Sequence, residues 1–259
     1  MGTMTFTIAA RCPETGSLGI CIATSSPAVG SRCVHVMHNV GVIAHQATPE
    51  PRLARTGMEL LRMGFKAPKV LRELEDGDVD IEFRQIAVID VHGTAVARTG
   101  RNNMSHASHK VGDGFVALGN LLEGAHVVDA IHDAYLAHAS APFDERLLRA
   151  IEAGRDAGGQ VEGQTSAAIL VYDRKAVARI DLRVDLALEP IAELRRQFDW
   201  FQALVPFYEE RCDNPRVGRH KDWLKERGIE RQFGVPPPHV AAERAAQQAQ
   251  AAGQPPKDA

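Results

Sequence analysis

The sequence predicts an α+β fold, namely a four-layer αββα sandwich of antiparallel sheets with a C-terminal helical extension. The first observation is the order of its segments, which come as strands, two helices, strands, two helices, strands and a helix. A doubly wound parallel sheet would alternate strand and helix throughout. The second is that short turns join neighbouring strands, which makes those strands antiparallel. The third is that no GxGxxG or P-loop motif follows a strand, so nothing indicates nucleotide binding.

The first two strands are expected to form one hairpin. Phe6 and Ile8 alternate with Thr5 and Thr7, a two-residue period that is typical of a strand with two different faces. Residues 13–16 predict a turn, because proline fixes φ and glycine accepts a positive φ. Residues 18–24 then return as a more uniformly apolar strand, which we expect to be buried on both faces.

Hydrophobic periodicity assigns the elements that follow. A third strand is expected at residues 40–47, whereas residues 34–39 show no clear pattern. Helices are expected at 52–63 and from residue 67 to the polar loop at 75–78. The later elements, in order, are strands at 84–90 and 94–99, a loop at 101–114, a short strand at 115–118, helices at 123–137 and 143–153, and a hairpin of 166–172 and 176–186.

A long amphipathic helix is expected at residues 189–211, and it carries a large share of the few aromatic residues. Its apolar face must pack on the body of the protein or on a second copy, so we expect a homo-oligomer with this helix as the candidate interface. We therefore divide the chain into a domain at 1–188, a helical extension at 189–233 and a tail at 234–259. The low-complexity composition of that tail is typical of disorder.

Composition excludes several classes of protein. The 259 residues, 44% of them hydrophobic, suffice for one sizeable domain with a full core. A net charge of −3 favours neither nucleic acid nor an anionic membrane as a partner. No apolar stretch approaches the roughly 20 residues that span a bilayer. We expect no signal peptide, because the first residues lack a basic segment followed by an apolar one. The four cysteines have no framework spacing, so we expect reduced thiols and a cytoplasmic protein.

Thr5 is the first candidate for catalysis. If translation starts at Met4 and this methionine is removed, Thr5 becomes the first residue, and its own amine can act as the base for its hydroxyl. An α-amine has a pKa of about 7.7–8.0, which suits a base at neutral pH, whereas a peptide nitrogen has no basicity. Threonine is also a common strand residue, so a purely structural role for Thr5 stays open.

Polar residues at the ends of expected strands are candidates for substrate contacts. Asn120, at a strand-to-helix junction, can either aim its amide at an oxyanion or cap the helix. Gln46 ends the third strand and Arg52 opens the first helix, so both are expected to orient the substrate. The alternative for Gln46 is an ordinary buried amide, and the alternative for Arg52 is a solvated helix residue. Three further substrate-binding candidates lie in segments that begin or end strands: Ser25, Ser26 and Gln164. Ser166 lies with Gln164 at the start of the second hairpin and is considered with it.

Two clusters of residues are candidates for metal ligands. One contains Cys33, His35 and His38 and the other contains His106 and His109, but neither spacing matches a known ligand pattern. We therefore predict no metal and no cofactor. A Ser-His-Asp triad needs no proximity in sequence, so a conventional serine hydrolase remains an alternative, although the chain has no GxSxG motif.

Several blocks of the sequence carry a family resemblance. They are TFTIAARCPETGSLGICIATSSPAVGSRC, VGVIAHQATPEPRLARTGMELLRMG, RQIAVIDVHGTAVARTG, GDGFVALGNLLEG and GQTSAAILVYD. Together they resemble, in order from Thr5 to Leu194, the family called domain of unknown function 1028, which is assigned to the Ntn (N-terminal nucleophile) hydrolases. The resemblance implies an αββα sandwich and a nucleophile at the first residue of the first strand, which is Thr5 here. Asn120 and Gln46 fall in blocks that match the family's Gly-Asn-Met-Leu and Ala-Thr-Gln.

The sequence also departs from the family pattern. His45 stands where threonine is usual, Gln160 where an aspartate usually follows two glycines, and Met1 to Met4 precede the expected nucleophile. Either Met4 is the true start, or these residues are cleaved, or this member does not use the mechanism. We expect an amidohydrolase that cleaves a C–N bond of a small molecule. The alternative is a non-catalytic small-molecule binder or scaffold of the same fold.

Overall fold

The computed structural model describes residues 4–229, which form a mixed α+β structure with two antiparallel sheets. The strands are β1 Thr5–Arg11, β2 Leu18–Thr24, β3 Val34–Met37, β4 Gly41–Ala47, β5 Arg84–Asp90, β6 Ala95–Thr99, β7 Ser108–Gly112, β8 Phe115–Asn120, β9 Ser166–Tyr172 and β10 Ala178–Val184. The α-helices are α1 Pro51–Arg62, α2 Ala67–Asp76, α3 His126–Ala137, α4 Phe143–Asp156, α5 Pro190–Gln202, α6 Val205–Asp213 and α7 His220–Glu226.

The strands form one sheet of six and one of four. The six-stranded sheet has the order β10-β9-β2-β1-β8-β7, and the four-stranded sheet has the order β3-β4-β5-β6. The first hairpin is present as expected, with Thr5 opposite Thr24 and Arg11 opposite Leu18. Because β1 also pairs with β8, the first strand lies inside its sheet and both of its edges are bonded.

Three groups of buried apolar residues hold these elements together. One group joins a face of the six-stranded sheet to α3, α4 and α5, and it includes Phe6, Ile131 and Leu147. A second joins β4 and β5 to α1 and α2. The third contains residues of both sheets, Ile20 and Val42 among them. Their burial removes apolar surface from water, which is the main stabilising contribution in a fold of this size.

Two strands were not predicted from the sequence. β3 occupies residues that show no clear pattern, and β7 lies in the segment 101–114, which we expected to be a loop. Both are edge strands with half-buried side chains, so they lack the run of apolar residues that marks an interior strand. β8 extends to Asn120, two residues beyond its predicted end.

The predicted helix at 189–211 is wrong as a single helix. The structure has α5 ending at Gln202 and α6 beginning at Val205. Pro206 explains the break, because it has no N–H for the carbonyl of Gln202 and its ring clashes with that carbonyl. The apolar side chains Ile191, Leu194 and Phe198 pack in the core with α3 and α4. A subunit interface through this segment stays a prediction and would have to use other residues.

The described chain divides after Val205 into two compact units. α5 shares the core of the first unit, and the domain boundary at residue 188 stays a prediction. In the second unit, the ring of Phe207 meets that of Trp223 edge-on at 5.8 Å, and the guanidinium of Arg227 lies 3.7 Å from the Trp223 ring. The predicted disordered tail, 234–259, lies outside the described residues.

Between residues 4 and 229 no helix combines the length and the apolar character that crossing a membrane requires.

Candidate active site

Four polar residues lie side by side at one end of the six-stranded sheet. Thr5 is opposite Thr24 on one side and Asn120 on the other, and Thr24 is opposite Ser166. Directly opposed residues of antiparallel strands point to the same face of the sheet. None of the four is more than 1% exposed. We refer to Ser166, Thr24, Thr5 and Asn120 as the polar row.

The polar row faces the second sheet. Side chains two or four positions apart on a strand share a face, so Thr5 points the same way as Ala9, and Asn120 the same way as Leu118. Ala9 and Leu118 belong to the apolar group between the two sheets. The facing surfaces of the sheets are therefore apolar along most of their length and polar at the end where the first strand begins.

Gln85 of β5 joins the second sheet to the polar row. Its Oε1 accepts hydrogen bonds from Asn120 Nδ2 at 3.0 Å and from Gln46 Nε2 at 2.8 Å. Gln46 Oε1 in turn accepts a bond from the hydroxyl of Thr7 at 2.6 Å. Gln46 and Gln85 are both fully buried, so these bonds satisfy amides that water cannot reach.

The amide nitrogen of Gln85 makes three further contacts. Its two hydrogens are shared among Thr99 Oγ1, the carbonyl oxygen of Ser108 and the carbonyl oxygen of Gly119, at 2.9, 3.0 and 2.9 Å. Thr99 Oγ1 also bonds His109 Nδ1 at 2.8 Å. Gln85 is thus the central residue of a hydrogen-bond network that crosses from one sheet to the other.

The hydroxyl of Thr5 lies close to polar groups at the end of β2 and to the carbonyl group of Met4. Thr5 Oγ1 is 3.1 Å from Thr24 Oγ1. The Thr24 hydroxyl donates to the carbonyl oxygen of Met4, and the backbone N–H of Ser25 donates to the same oxygen at 3.3 Å. Because the nitrogen of Thr5 is bonded to Met4, it has no basicity in this chain.

The serine and glutamine candidates flank the polar row. The carbonyl oxygen of Ser26 accepts a bond from the hydroxyl of Ser166 at 2.6 Å. Gln164 packs on Gly159, where an added Cβ would lie 2.6 Å from its Nε2 atom. A side chain at position 159 would therefore displace Gln164, and the φ of +56° at Gly159 also favours glycine there.

Arg52 lies apart from the polar row. Its side chain is 82% exposed and forms an ion pair with Glu50 at 3.0 Å.

Asn120, by contrast, lies in the row but does not cap a helix, because α3 begins at His126 and its N-cap is Ala125. One of the two N–H hydrogens of Asn120 is used on Gln85, which leaves the second for another acceptor.

A cleft of about 490 Å³ opens beside the hydrogen-bond network. It is lined by residues of the segment 99–109, including Thr99, Arg101, Ser108 and His109. Thr99 and Ser108 are also partners of Gln85, so this side chain links the lining of the cleft to Asn120. A larger opening of about 700 Å³ lies around residues 183–197 and includes no residue of the row.

His45, one of the departures from the family pattern, is buried on β4 next to Gln46. Its Nε2 accepts a bond from the backbone N–H of Glu50 at 3.5 Å, and its Nδ1 has no partner among residues 4–229. The pKa of His45 is lowered from 6.5 to about 4, chiefly because the imidazole is buried; the charges of Arg84 and His35 act in the same direction, and Asp78 and the bond with Glu50 oppose them. The imidazole is therefore neutral at physiological pH.

We expect His45 to make the fold sensitive to acid. A folded-state pKa of about 4 lies below the ordinary 6.5, so this stability is fully present above pH 6.5 and is lost as the pH falls towards 4. The loss amounts to about 3 kcal/mol. Urea unfolding at about pH 7 and about pH 4.5 should show a smaller loss in His45→Gln than in the native chain. Equal losses in the two proteins would contradict this role.

No group of three or more histidine, cysteine, aspartate or glutamate side chains in the described part of the chain is arranged to hold a metal ion.

Sequence reasoning did not single out two residues of this site, Gln85 and Thr24. Gln85 carried one available signal, since it is an uncharged polar residue next to the apolar run of the strand RQIAVID. Thr24 carried a weaker signal, because it is the polar residue at the end of an apolar strand. The proximity of these residues to Thr5 and Asn120 depends on strand order, which the spacing of residues does not show.

Fold and site together define an α+β protein with two antiparallel sheets and a buried polar cluster at one end of the space between them. The chain belongs to the family of unknown function DUF1028, whose model matches residues 5–194. A crystal structure of a DUF1028 protein from Silicibacter pomeroyi is similar, with 31% identity and a TM-score of 0.71, covering 76% of this chain and 86% of that one.

More distant structures also align. The ancestral β-subunit Anbu of Yersinia bercovieri has 12% identity and a TM-score of 0.39, with 79% of this chain and 97% of that chain covered. Anbu of a Hyphomicrobium strain gives 12% identity and a TM-score of 0.37, with the same coverage. No curated protein matches the sequence.

Proposed function

We propose that this protein is an N-terminal-nucleophile amidohydrolase with the αββα layer order, which hydrolyses a C–N bond of a small molecule. The observation that carries the proposal is the position of Thr5. It is the first residue of an interior strand, and its hydroxyl lies in a buried polar row next to Asn120. The resemblance of the sequence blocks to a family assigned to the Ntn hydrolases supports the same conclusion.

In this proposal, Thr5 acts once its amine is free. The amine takes the hydroxyl proton, and Oγ1 attacks the carbonyl carbon of the amide to form a tetrahedral intermediate. The amine then returns the proton to the leaving nitrogen as the C–N bond breaks, which leaves an ester on Thr5. Water hydrolyses this ester and regenerates the hydroxyl. The second N–H of Asn120 is a candidate donor to the oxyanion.

The remaining residues position the substrate. Gln85 holds the amide of Asn120 in place and also accepts a bond from Gln46, and the cleft at 99–109 is next to Gln85. Ser25, Ser26 and Gln164 flank the row, where they can contact a bound molecule. Arg52 would have to reach in from the surface at the expense of its ion pair with Glu50. A homo-oligomer and a cytoplasmic location belong to the same proposal.

A screen of small amides tests the function. We expect hydrolysis by a chain made from Met4, whose initiator methionine is removed to leave Thr5 first, and none by a chain that retains residues 1–4. The reason is that only the first has a free amine on Thr5. The intact mass of each protein verifies the N-terminus. Equal activity of the two chains would contradict the mechanism, and binding of amides without turnover by the trimmed chain would favour the non-catalytic binder.

A further inference from the structure

The carbonyl oxygen of Met4 occupies a site built from two hydrogen-bond donors. One is the hydroxyl of Thr24 and the other is the backbone N–H of Ser25. Thr24 is 1% exposed, so its hydroxyl has no access to bulk water. Removal of Met4 leaves both donors without this acceptor, and an unpaired buried donor is costly.

The hydrogen bond from Thr24 to Met4 also fixes which hydroxyl is the donor between Thr5 and Thr24. A hydroxyl has a single hydrogen, and Thr24 gives it to the carbonyl oxygen of Met4. In the contact between Thr5 Oγ1 and Thr24 Oγ1, the hydrogen therefore comes from Thr5. The hydroxyl of Thr24 thus contacts both Thr5 Oγ1, which is the expected nucleophile, and the carbonyl oxygen of the residue that precedes Thr5.

We infer that Thr24 Oγ1 and the N–H of Ser25 form the oxyanion site of the proposed enzyme, an inference that rests on the proposed function. In the trimmed chain, the scissile carbonyl oxygen of the substrate takes the place that the Met4 oxygen occupies here. As Thr5 Oγ1 bonds to the carbonyl carbon, the C=O electron pair moves onto that oxygen, and the two donors stabilise the charge. Thr24 is then a catalytic residue, and Asn120 supplies at most an additional donor.

The substrate class follows from this site. Both groups donate, and neither the Thr24 hydroxyl nor the Ser25 N–H carries a charge. They fit a neutral carbonyl oxygen that becomes negative in the transition state, as in a carboxamide or a lactone, and they do not provide the cation that a carboxylate or phosphate would favour.

A β-lactone probe tests the site without knowledge of the natural substrate. Thr5 Oγ1 attacks the lactone carbonyl, the ring C–O bond breaks, and the released alkoxide takes the proton held by the amine. The protein gains the full mass of the probe, and peptide mapping places it on Thr5. The variants are Thr24→Val, which has the same shape without the hydroxyl, Thr24→Ser, which keeps a hydroxyl, and Thr24→Cys, which has a weak donor.

We expect the rate of labelling at Thr5 to fall by about 10²-fold or more in Thr24→Val, relative to the trimmed native chain. In Thr24→Ser the same rate should fall by less than about tenfold. Thermal unfolding identifies any variant that does not fold. If the valine variant fails to fold, the cysteine variant decides, with slower labelling expected. A native labelling rate in the folded valine variant, or in the cysteine variant where the valine variant does not fold, would overturn the inference while leaving the proposed function intact. An absence of labelling at Thr5 in the trimmed native chain would reject both.

Discussion

In a chain that begins at Thr5, the Thr5→Ala substitution is expected to lower the rate of amide hydrolysis by about 10⁴-fold or more. Alanine keeps the free amine and the position of β1 but removes the oxygen that attacks the carbonyl. Thr5→Ser should retain measurable activity, because its hydroxyl can occupy the same place. The measurement is the initial rate of release of the amine product with the best substrate of the amide screen.

The control for this prediction is Thr94→Ala. Thr94 is an exposed threonine in the turn between β5 and β6, at the end of β5 that is remote from Gln85. Its replacement should leave the rate unchanged. Activity that survives in Thr5→Ala would show that another group attacks the amide, and the serine-hydrolase alternative would then be tested by replacing Ser25 and Ser26.

Gln85→Leu is expected to reduce the free energy of unfolding by roughly 4 kcal/mol. The leucine is similar in size but makes none of the five hydrogen bonds of the glutamine side chain. The amides of Gln46 and Asn120 lose an acceptor, and each unpaired buried group costs about 1–3 kcal/mol. Urea unfolding followed by circular dichroism measures the loss.

Gln46→Leu serves as the matched comparison for Gln85→Leu. Gln46 is equally buried but has only two side-chain bonds, to Thr7 and to Gln85, so we expect roughly half the loss, about 2 kcal/mol. The trimmed Gln85→Leu chain should also label more slowly on Thr5, because Asn120 is no longer held in place. A loss below about 1 kcal/mol for Gln85→Leu would show that water or neighbouring groups replace these bonds.

Much of the fold could be predicted because interior elements carry strong patterns. The hairpin of β1 and β2, the strand β5 and the paired helices α3 and α4 all have hydrophobic periodicity, since one or both of their faces are buried. The edge strands β3 and β7 have half-buried faces, and their patterns are correspondingly weak. The break between α5 and α6 was available from Pro206, but the apolar spacing across it continues and obscured it.

Residues of the site could be predicted only where their role depends on their position in the sequence. Thr5 could be singled out because a free amine occurs only at the first residue. Gln46 and Asn120 could be suggested because each ends a strand, and the structure brings them together through Gln85. Thr24 could not be predicted in the same way, because its position opposite Thr5 depends on the hairpin register. Arg52 lies in an ion pair on the surface, which its place at the start of a helix does not reveal.

The enclosed first strand has a practical consequence for experiments on this protein. Because β1 is bonded on both edges, its first residue lies inside the sheet, and Met4, which precedes it, is buried. An affinity tag at the amino end would keep the nitrogen of Thr5 in a peptide bond and would prevent the proposed chemistry. Recombinant protein for activity measurements should therefore carry its tag at the carboxyl end, or have the amino-terminal tag removed by a protease that cuts directly before Thr5.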